Sequence, residues 1–374
     1  MGKKICILSM QRVNNFGSLL QSYSLKKMIE SLGNEVFFID IERKEDDNAL
    51  MKYEVDDYSA ETGMSKNILS KFSKLDRYTL NRIKIKILSN KQIIKFQQFR
   101  ENILEMKIEY NHHKYDTCVI GSDEVFNCNA ASPWGFTSQL FGNVRQADNV
   151  ITYAASCGST KYENVLSSIK EKIIETFTRV KAFSVRDDNT YEFVASMTDK
   201  NVEHHLDPVL IGEFDDEIKD AKILNNLPEN YCVVYSYYNR IHSFDEINAI
   251  KKFCQKNQLE IVSIGAPQMW IKKHLVADPF QMLKVFQKAD FVITDTFHGT
   301  IFSAKYANKF AVLVRESNKN KLLDLIKRLQ LEKHLVQTFD ELQDIDSYIV
   351  DTEKVMQIIK YEREKSLQYL SDNL

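Results

Sequence analysis

Lys4-Ile-Cys-Ile-Leu8, a loop with Asn14, Asn15 and Gly17, a run from Ser18 to Leu32, Gly33, and then Glu35-Val-Phe-Phe-Ile-Asp40: residues 4–40 decide the fold. The first and last of these are apolar runs of strand length. Between them Leu20, Tyr23, Met28 and Ile29 recur at helical spacing, and Gly33 stands where a helix C-cap is expected. A strand, loop, helix and strand in this order open a parallel sheet, because parallel neighbours need a crossover between them.

Outward from this opening the same alternation is broken once. Residues 44–112 are rich in Lys, Asp, Glu and Asn, with helical stretches around 67–88 and 91–105, and read as a helical insertion or lid. Strands return at Thr117–Ile120, Val150–Ala154, Ala182–Val185 and Val202–Leu206, with helices expected over 161–178 and 188–197. A first domain is therefore placed at 1–212. A second α/β set follows, with strands at Cys232–Ser236, Glu260–Ile264, Phe291–Thr294 and Phe310–Val314 and helices at 244–257, 279–289, 299–307 and 318–330. It occupies 213–350, and residues 351–374 form a C-terminal helix expected to pack back on the first domain. The fold class is α/β, with two Rossmann-like domains facing a cleft and a helical insertion in the first. No internal sequence repeat is visible.

Composition bounds the function. A length of 374 residues exceeds one ordinary core, and 44% apolar with 27% charged residues is usual for a soluble globular chain. A formal net charge of −2 gives no support for nucleic acid as a partner. The six cysteines, Cys6, Cys118, Cys128, Cys157, Cys232 and Cys254, form no Cys-x-x-Cys pair and read as reduced core residues of a cytoplasmic protein. The apolar run at Ile5–Leu8 is too short for a signal-peptide core, and none approaches the ~20 residues of a membrane span. Membrane contact is thus peripheral at most, at the inner face.

Ligand groups in such sheets lie just past the strand ends. After the first strand come Asn15, Gly17 and, a turn later, Gln21, without the GxGxxG spacing of a dinucleotide loop. After 117–120 come Gly121, Ser122 and Asp123, where a hydroxyl and a carboxylate suit a sugar hydroxyl, or a helix cap. After 182–185 comes Arg186, able to grip a carboxylate or phosphate, or to pair with Asp187 and Asp188. His204 and His205 fall on opposite faces of one strand, which argues against a shared metal. After 291–294 come Asp295-Thr-Phe-His298-Gly299-Thr300. Asp295 or Thr296 can cap the next helix, placing His298 in its first turn, where free N–H groups and the positive dipole end favour phosphate. Beyond 310–314, Arg315, Lys319 and Lys321 add cationic character. A helix-terminal histidine, cations and hydroxyl-binding groups around one cleft suit transfer chemistry from a phosphorylated donor to a hydroxylated acceptor, with no Walker loop or zinc spacing present.

Six blocks in order, Asn15-Phe-Gly-Ser-Leu-Leu-Gln21, Val119-Ile-Gly-Ser-Asp123, Tyr153-Ala-Ala-Ser156, Phe183-Ser-Val-Arg-Asp187, Leu206-Asp-Pro-Val-Leu210 and Thr294-Asp-Thr-Phe-His-Gly-Thr300, resemble the polysaccharide pyruvyl transferase family. The resemblance implies a fold similar to the GT-B glycosyltransferases, phosphoenolpyruvate as co-substrate, no other cofactor and no metal. It implies a sugar of a cell-surface polysaccharide, capsule or exopolysaccharide, or of its lipid-linked precursor, as acceptor, with a pyruvate ketal as product. On this basis Arg186 and His298 are the expected catalytic residues. Arg186, His298, Gly299, Thr300, Arg315 and Lys319 are expected to bind the donor, and Asn15, Gly17, Gln21, Ser122 and Asp123 the acceptor. Where many family members carry an acidic residue after the first glycine, this chain has Ser18. Two other functions fit the architecture: a glycosyltransferase using a nucleotide-sugar, and a non-catalytic glycan-binding protein.

Overall fold

The structure, a computed structural model, describes residues 2–42, 77–128, 135–238 and 240–374. The part of the expected insertion from 44 to 76 lies outside them. In the first half, strands β1 (Lys4–Leu8), β2 (Glu35–Phe38), β3 (Tyr115–Asp123), β4 (Ala147–Ala155), β5 (Val180–Val185) and β6 (Val202–His204) alternate with helices α1 (Phe16–Ser31), α2 (Arg77–Asn102), α3 (Ser167–Phe177), α4 (Asp188–Ala195), α5 (Pro208–Ile211) and α6 (Asp215–Asp220). In the second, β7 (Tyr231–Tyr235), β8 (Glu260–Ile264), β9 (Lys273–Leu275), β10 (Phe291–Thr294), β11 (Phe310–Leu313) and β12 (Leu335–Val336) alternate with α7 (Phe244–Lys256), α8 (Pro279–Gln287), α9 (Phe297–Tyr306), α10 (Lys319–Leu329) and α11 (Leu342–Ile345). Helix α12 (Thr352–Asn373) closes the chain.

Among the described residues every strand pair is parallel, and the two sheets run β2-β1-β3-β4-β5-β6 and β12-β11-β10-β7-β8-β9. The expected pair of Rossmann-like halves is present. Each order reverses once, between β1 and β3 in the first sheet and between β7 and β10 in the second. At such a reversal neighbouring loops diverge to opposite faces and leave a crevice beyond the strand ends. Hence the loops that begin at Ser9, Glu124, Ser236 and Asp295 are the ones placed to hold a ligand.

The inner strands β1, β7, β10 and β11 are buried on both faces over nearly all their length and read as apolar runs, as inner strands of a parallel sheet do. Helix α1 is buried on nearly all sides, from Phe16 to Ile29, because it lies between the sheets. One apolar cluster runs from Leu19 and Ile29 through Tyr23 and Phe214 to Phe286 and Ile301, so the two halves share a core. The outer faces of the two sheets carry their own clusters, around Phe126 and Phe177 and around Phe253 and Phe291. Helix α12 crosses back to the first half, where Tyr369 Oη donates to Thr152 O at 2.9 Å and Arg363 Nη1 to Ile211 O at 2.9 Å.

Two local readings change. The helical stretches expected at 67–88 and 91–105 are, from residue 77 on, one continuous helix, since Ser89 and Asn90 are tolerated where α2 packs at Ser89, Gln92 and Phe96. Gly121, Ser122 and Asp123 belong to β3 rather than to a loop after it, because Gly121 and Asp123 stay in register with Tyr153 and Ala155 of β4. Among the described residues, no helix is long and apolar enough to cross a membrane.

Candidate active site

His298 sits in the first turn of α9, as its surroundings dictate. Thr296 is extended and its hydroxyl accepts from Gly299 N at 3.0 Å, so Thr296 rather than Asp295 caps the helix. Asp295 turns inward, fully buried, accepting from Ser236 Oγ at 2.6 Å and Arg315 Nε at 3.0 Å. Gly299 is required by packing: a Cβ there would lie 2.1 Å from Thr294 Oγ1 and 2.8 Å from Tyr235 Cδ1.

The imidazole of His298 lies between the two halves. On one side it rests on the backbone of Gly17, where a Cβ would lie 2.3 Å from Nδ1. On the other, Nε2 stands 3.7 Å from Asp207 Oδ2, and it has no hydrogen-bond partner among the described residues. Asp207 caps α5 through Oδ1, which accepts from Val209 N at 2.9 Å. Its Oδ2 accepts from Arg186 Nη1 at 2.7 Å and from Ser122 Oγ at 3.4 Å. Burial works to raise the Asp207 carboxyl, but His298 and Arg186 beside it prevail and hold it well below the usual carboxylate range.

Arg186 directly follows β5, with its side chain only 4% exposed. Burial works against its charge, yet Asp207, Asp123 and Asp187 keep it more firmly protonated than a free arginine. Its guanidinium carbon lies 4.5 Å from the centroid of the Phe297 ring, and Nε has no hydrogen-bond partner among the described residues. A buried cation with an unused donor is what a planar anion needs to dock. Asp123 accepts from Ser18 Oγ at 2.9 Å, so the serine after Gly17 ties α1 to the end of β3.

The other expected residues divide. Asn15 caps α1, accepting from Ser18 N at 2.7 Å, and lines a cavity with Asn14, Phe16, Phe96, Tyr235, Ser236, Tyr237, Gly265, Ala266, Thr296 and His298. Counting its open mouth and the solvent in it, this cavity encloses about 550 Å³. Gln21 and Ser122, expected to face the acceptor, are fully buried below it: Gln21 Nε2 donates to Ser9 Oγ at 2.7 Å, and Ser9 Oγ to Ser122 O at 2.9 Å. Thr300, expected at the donor, is buried with its hydroxyl on Thr296 O at 2.9 Å. Arg315 is engaged by two carboxylates, Asp295 and Glu246, the latter at 2.6 Å. Lys319 is half exposed and pairs with Glu316 at 3.2 Å. Lys321 stands nearer the centre: its Nζ is 2.8 Å from Glu124 Oε1 and 5.9 Å from the Phe297 ring centroid. That charge holds Glu124 down to about 2 against the opposing effect of burial.

His205 is a core residue, bonded through Nδ1 to Ser184 Oγ at 2.8 Å and packed on Tyr369, and burial lowers it to about 3. His204 turns to the other face, 3.1 Å from Asp188. Among the described residues, no group of three His, Cys, Asp or Glu is placed to hold a metal. Asp207 is the residue at the centre that the sequence did not single out. Its signals were the Asp-Pro step after a strand and its place in the Leu206–Leu210 block.

No curated protein matches the sequence. Among solved structures, the chain is similar to a UDP-N-acetylglucosamine 2-epimerase from Rickettsia bellii at 8% identity and TM-score 0.48, covering 100% of this chain and 98% of the other. It is similar to a UDP-GlcNAc 2-epimerase from Methanocaldococcus jannaschii, solved with UDP-GlcNAc and UDP, at 10% identity and TM-score 0.46 over 99% of each chain. The Streptomyces sp. SF2575 glycosyltransferase SsfS6 gives 9% identity and TM-score 0.45 over 98% of each. The family model for polysaccharide pyruvyl transferase matches residues 15–317, from the asparagine that caps α1 past the His298 helix to the loop that carries Arg315, and by that match the chain belongs to the polysaccharide pyruvyl transferase family.

Proposed function

We propose that the protein transfers the pyruvyl group of phosphoenolpyruvate to a sugar of a cell-surface polysaccharide or its lipid-linked precursor, forming a pyruvate ketal and releasing phosphate. The observation that carries this reading is the meeting of Arg186 from one half with His298 from the other across a single carboxylate, Asp207. Arg186 receives the donor carboxylate through its unused Nε. The first turn of α9 and Lys321 receive the phosphate, while Arg315 serves to anchor Asp295.

Protonated His298 gives its proton to the methylene carbon of the donor, which leaves C2 short of electrons. A sugar hydroxyl forms a C–O bond to C2 and returns a proton to the imidazole. A second hydroxyl of the same sugar then displaces phosphate from C2, its proton leaving with the phosphate, and the ketal closes. The acceptor lies in the cavity between the halves, over Tyr235 and Tyr237, with Asn15 at its edge. The protein works on the cytoplasmic side, where phosphoenolpyruvate is available.

Purified protein incubated with phosphoenolpyruvate and lipid-linked or free glycan acceptors is expected to release phosphate and to add the mass of a pyruvyl ketal to the glycan. Consumption of a nucleotide-sugar instead, with no phosphate from phosphoenolpyruvate, would sink the reading.

A further inference from the structure

Asp207 sits where neither half alone would need it. It follows β6 at the edge of the first sheet, yet its Oδ2 is shared by Arg186 Nη1 at 2.7 Å, Ser122 Oγ at 3.4 Å and, from the second half, His298 Nε2 at 3.7 Å. Its other oxygen is held by Val209 N, so the carboxylate cannot swing away. It is 1% exposed. A cap for a helix of four residues does not require a buried carboxylate between an arginine and a histidine.

We propose that Asp207 is the positioning residue of this site: one carboxylate oxygen holds the anion-binding arginine and the proton-transferring histidine side by side, and its charge offsets theirs until the donor arrives. The proposal rests on the pyruvyl-transfer reading for the identity of the donor, but its central claim is about anions. Asp207 competes with an incoming carboxylate for Arg186 while keeping the imidazole oriented. The other charged groups facing this spot are Asp123 at the end of β3, 3.9 Å from Arg186, Asp187 on α4's cap, and the Glu124–Lys321 pair. Of these, Asp207 alone lies within ion-pair distance of both Arg186 and His298 among the described residues.

The two roles move in opposite directions when the charge is removed. In Asp207→Asn, which keeps the volume and the acceptor for Val209 N, turnover is expected to fall about 10²-fold, the scale of a misplaced reacting group. The dissociation constant for phosphoenolpyruvate is expected to fall roughly five- to tenfold, because a like charge has left the anion site. Asp207→Glu retains the charge and so is expected to lose turnover without tighter anion binding. Calorimetric binding of phosphoenolpyruvate and, separately, of inorganic phosphate to the full chain reads the anion site without turnover. Weaker anion binding in Asp207→Asn, in step with lost turnover, would overturn the proposal, as would tighter binding in Asp207→Glu. Should the unmutated protein bind phosphate but not phosphoenolpyruvate, the donor assignment fails, and the phosphate arm still decides the role of Asp207. If Asp207→Asn does not fold, the Glu variant and Ser122→Ala, which frees Oδ2 from one donor, carry the comparison. For Ser122→Ala lower turnover at unchanged phosphate affinity is expected, and unchanged turnover counts against the proposal.

Discussion

Gly17 has no side chain because the ring of His298 occupies the place a Cβ would take, 2.3 Å from Nδ1. A methyl group there must push the imidazole off Asp207 or shift the start of α1. Gly17→Ala is therefore expected to lower turnover about 10²-fold, the cost of displacing a reacting group by roughly an ångström, while the thermal midpoint moves little. Steady-state rates beside a melting curve check this, and near-normal turnover would remove Gly17 from the site. Glu124 is tied to pH in the same way as any carboxylate held by a cation. Its folded pKa, about 2, lies below its ordinary value of 4.5. The stability it contributes is complete above about 4.5 and is lost as pH falls from there towards 2. Melting midpoints of Glu124→Gln should be lower than those of the unmutated chain at neutral pH and should converge on them near pH 2. A constant gap across that range would contradict the pairing with Lys321. His298 was legible in the sequence because its own neighbours, Thr296 and Gly299, set its place. The role of Asp207 was not, since its partners Arg186, Ser122 and His298 lie after β5, in β3 and in α9.

Helix α2 is the element whose role only its contacts disclose. Arg100 Nε donates to Gln11 O at 2.8 Å, and Nη2 reaches Arg12 O, Val13 O and Asn14 Oδ1 at 3.0, 2.8 and 2.8 Å. It thus fixes the loop between β1 and α1 that ends at Asn15 and Gly17. On the same helix, Gln92 bonds both backbone groups of Ala277 in the second half, at 2.7 and 3.1 Å. Phe96 packs edge-on against Phe16, ring centroids 4.9 Å apart. Arg100→Ala removes this donor from the carbonyls of Gln11, Arg12 and Val13, the first and last of them buried, and is expected to destabilise by about 2–4 kcal/mol. It should also raise the apparent KM for the acceptor, since Asn15 lines the cavity. A melting midpoint and acceptor KM both unchanged would show that the loop holds itself. The charged composition of 44–112 suggested a solvated excursion or a lid, and composition cannot distinguish an arginine in water from one that closes a loop.

At the scale of the whole molecule, the two halves share one apolar cluster besides the cavity at His298. Lys305, near the end of α9, reinforces this by donating to Val209 O at 3.0 Å and to Gly212 O, both in or just after α5. His298 and Lys305 thus lay α9 along α5, and burial brings the lysine down to about 7. Helix α12 adds a third connection, with Tyr369 buried against Tyr153 and His205. Tyr369→Ala is expected to cost about 3–5 kcal/mol, the range for emptying a buried aromatic site. Because Tyr369 does not touch the His298 cavity, turnover per folded molecule should stay within a few-fold of normal. A loss of turnover without loss of stability would indicate that α12 acts on the site.

By itself the sequence determined the alternation of strands and helices, the parallel character of both halves and the loop that carries His298. Each of these follows from local periodicity and capping, which neighbouring residues settle among themselves. The tertiary structure decided which loops meet. Strand order is a non-local property, so nothing in Phe183-Ser-Val-Arg186 or Leu206-Asp207-Pro208 announces that β5 and β6 end beside the start of α9 from the other half. It also decided which expected ligands face the cavity and which lie beneath it. Gln21, Ser122 and Thr300 have side chains suited to a sugar or phosphate. Burial commits them instead to Ser9, Asp207 and Thr296, because a polar group withdrawn from water must find its partner inside the protein.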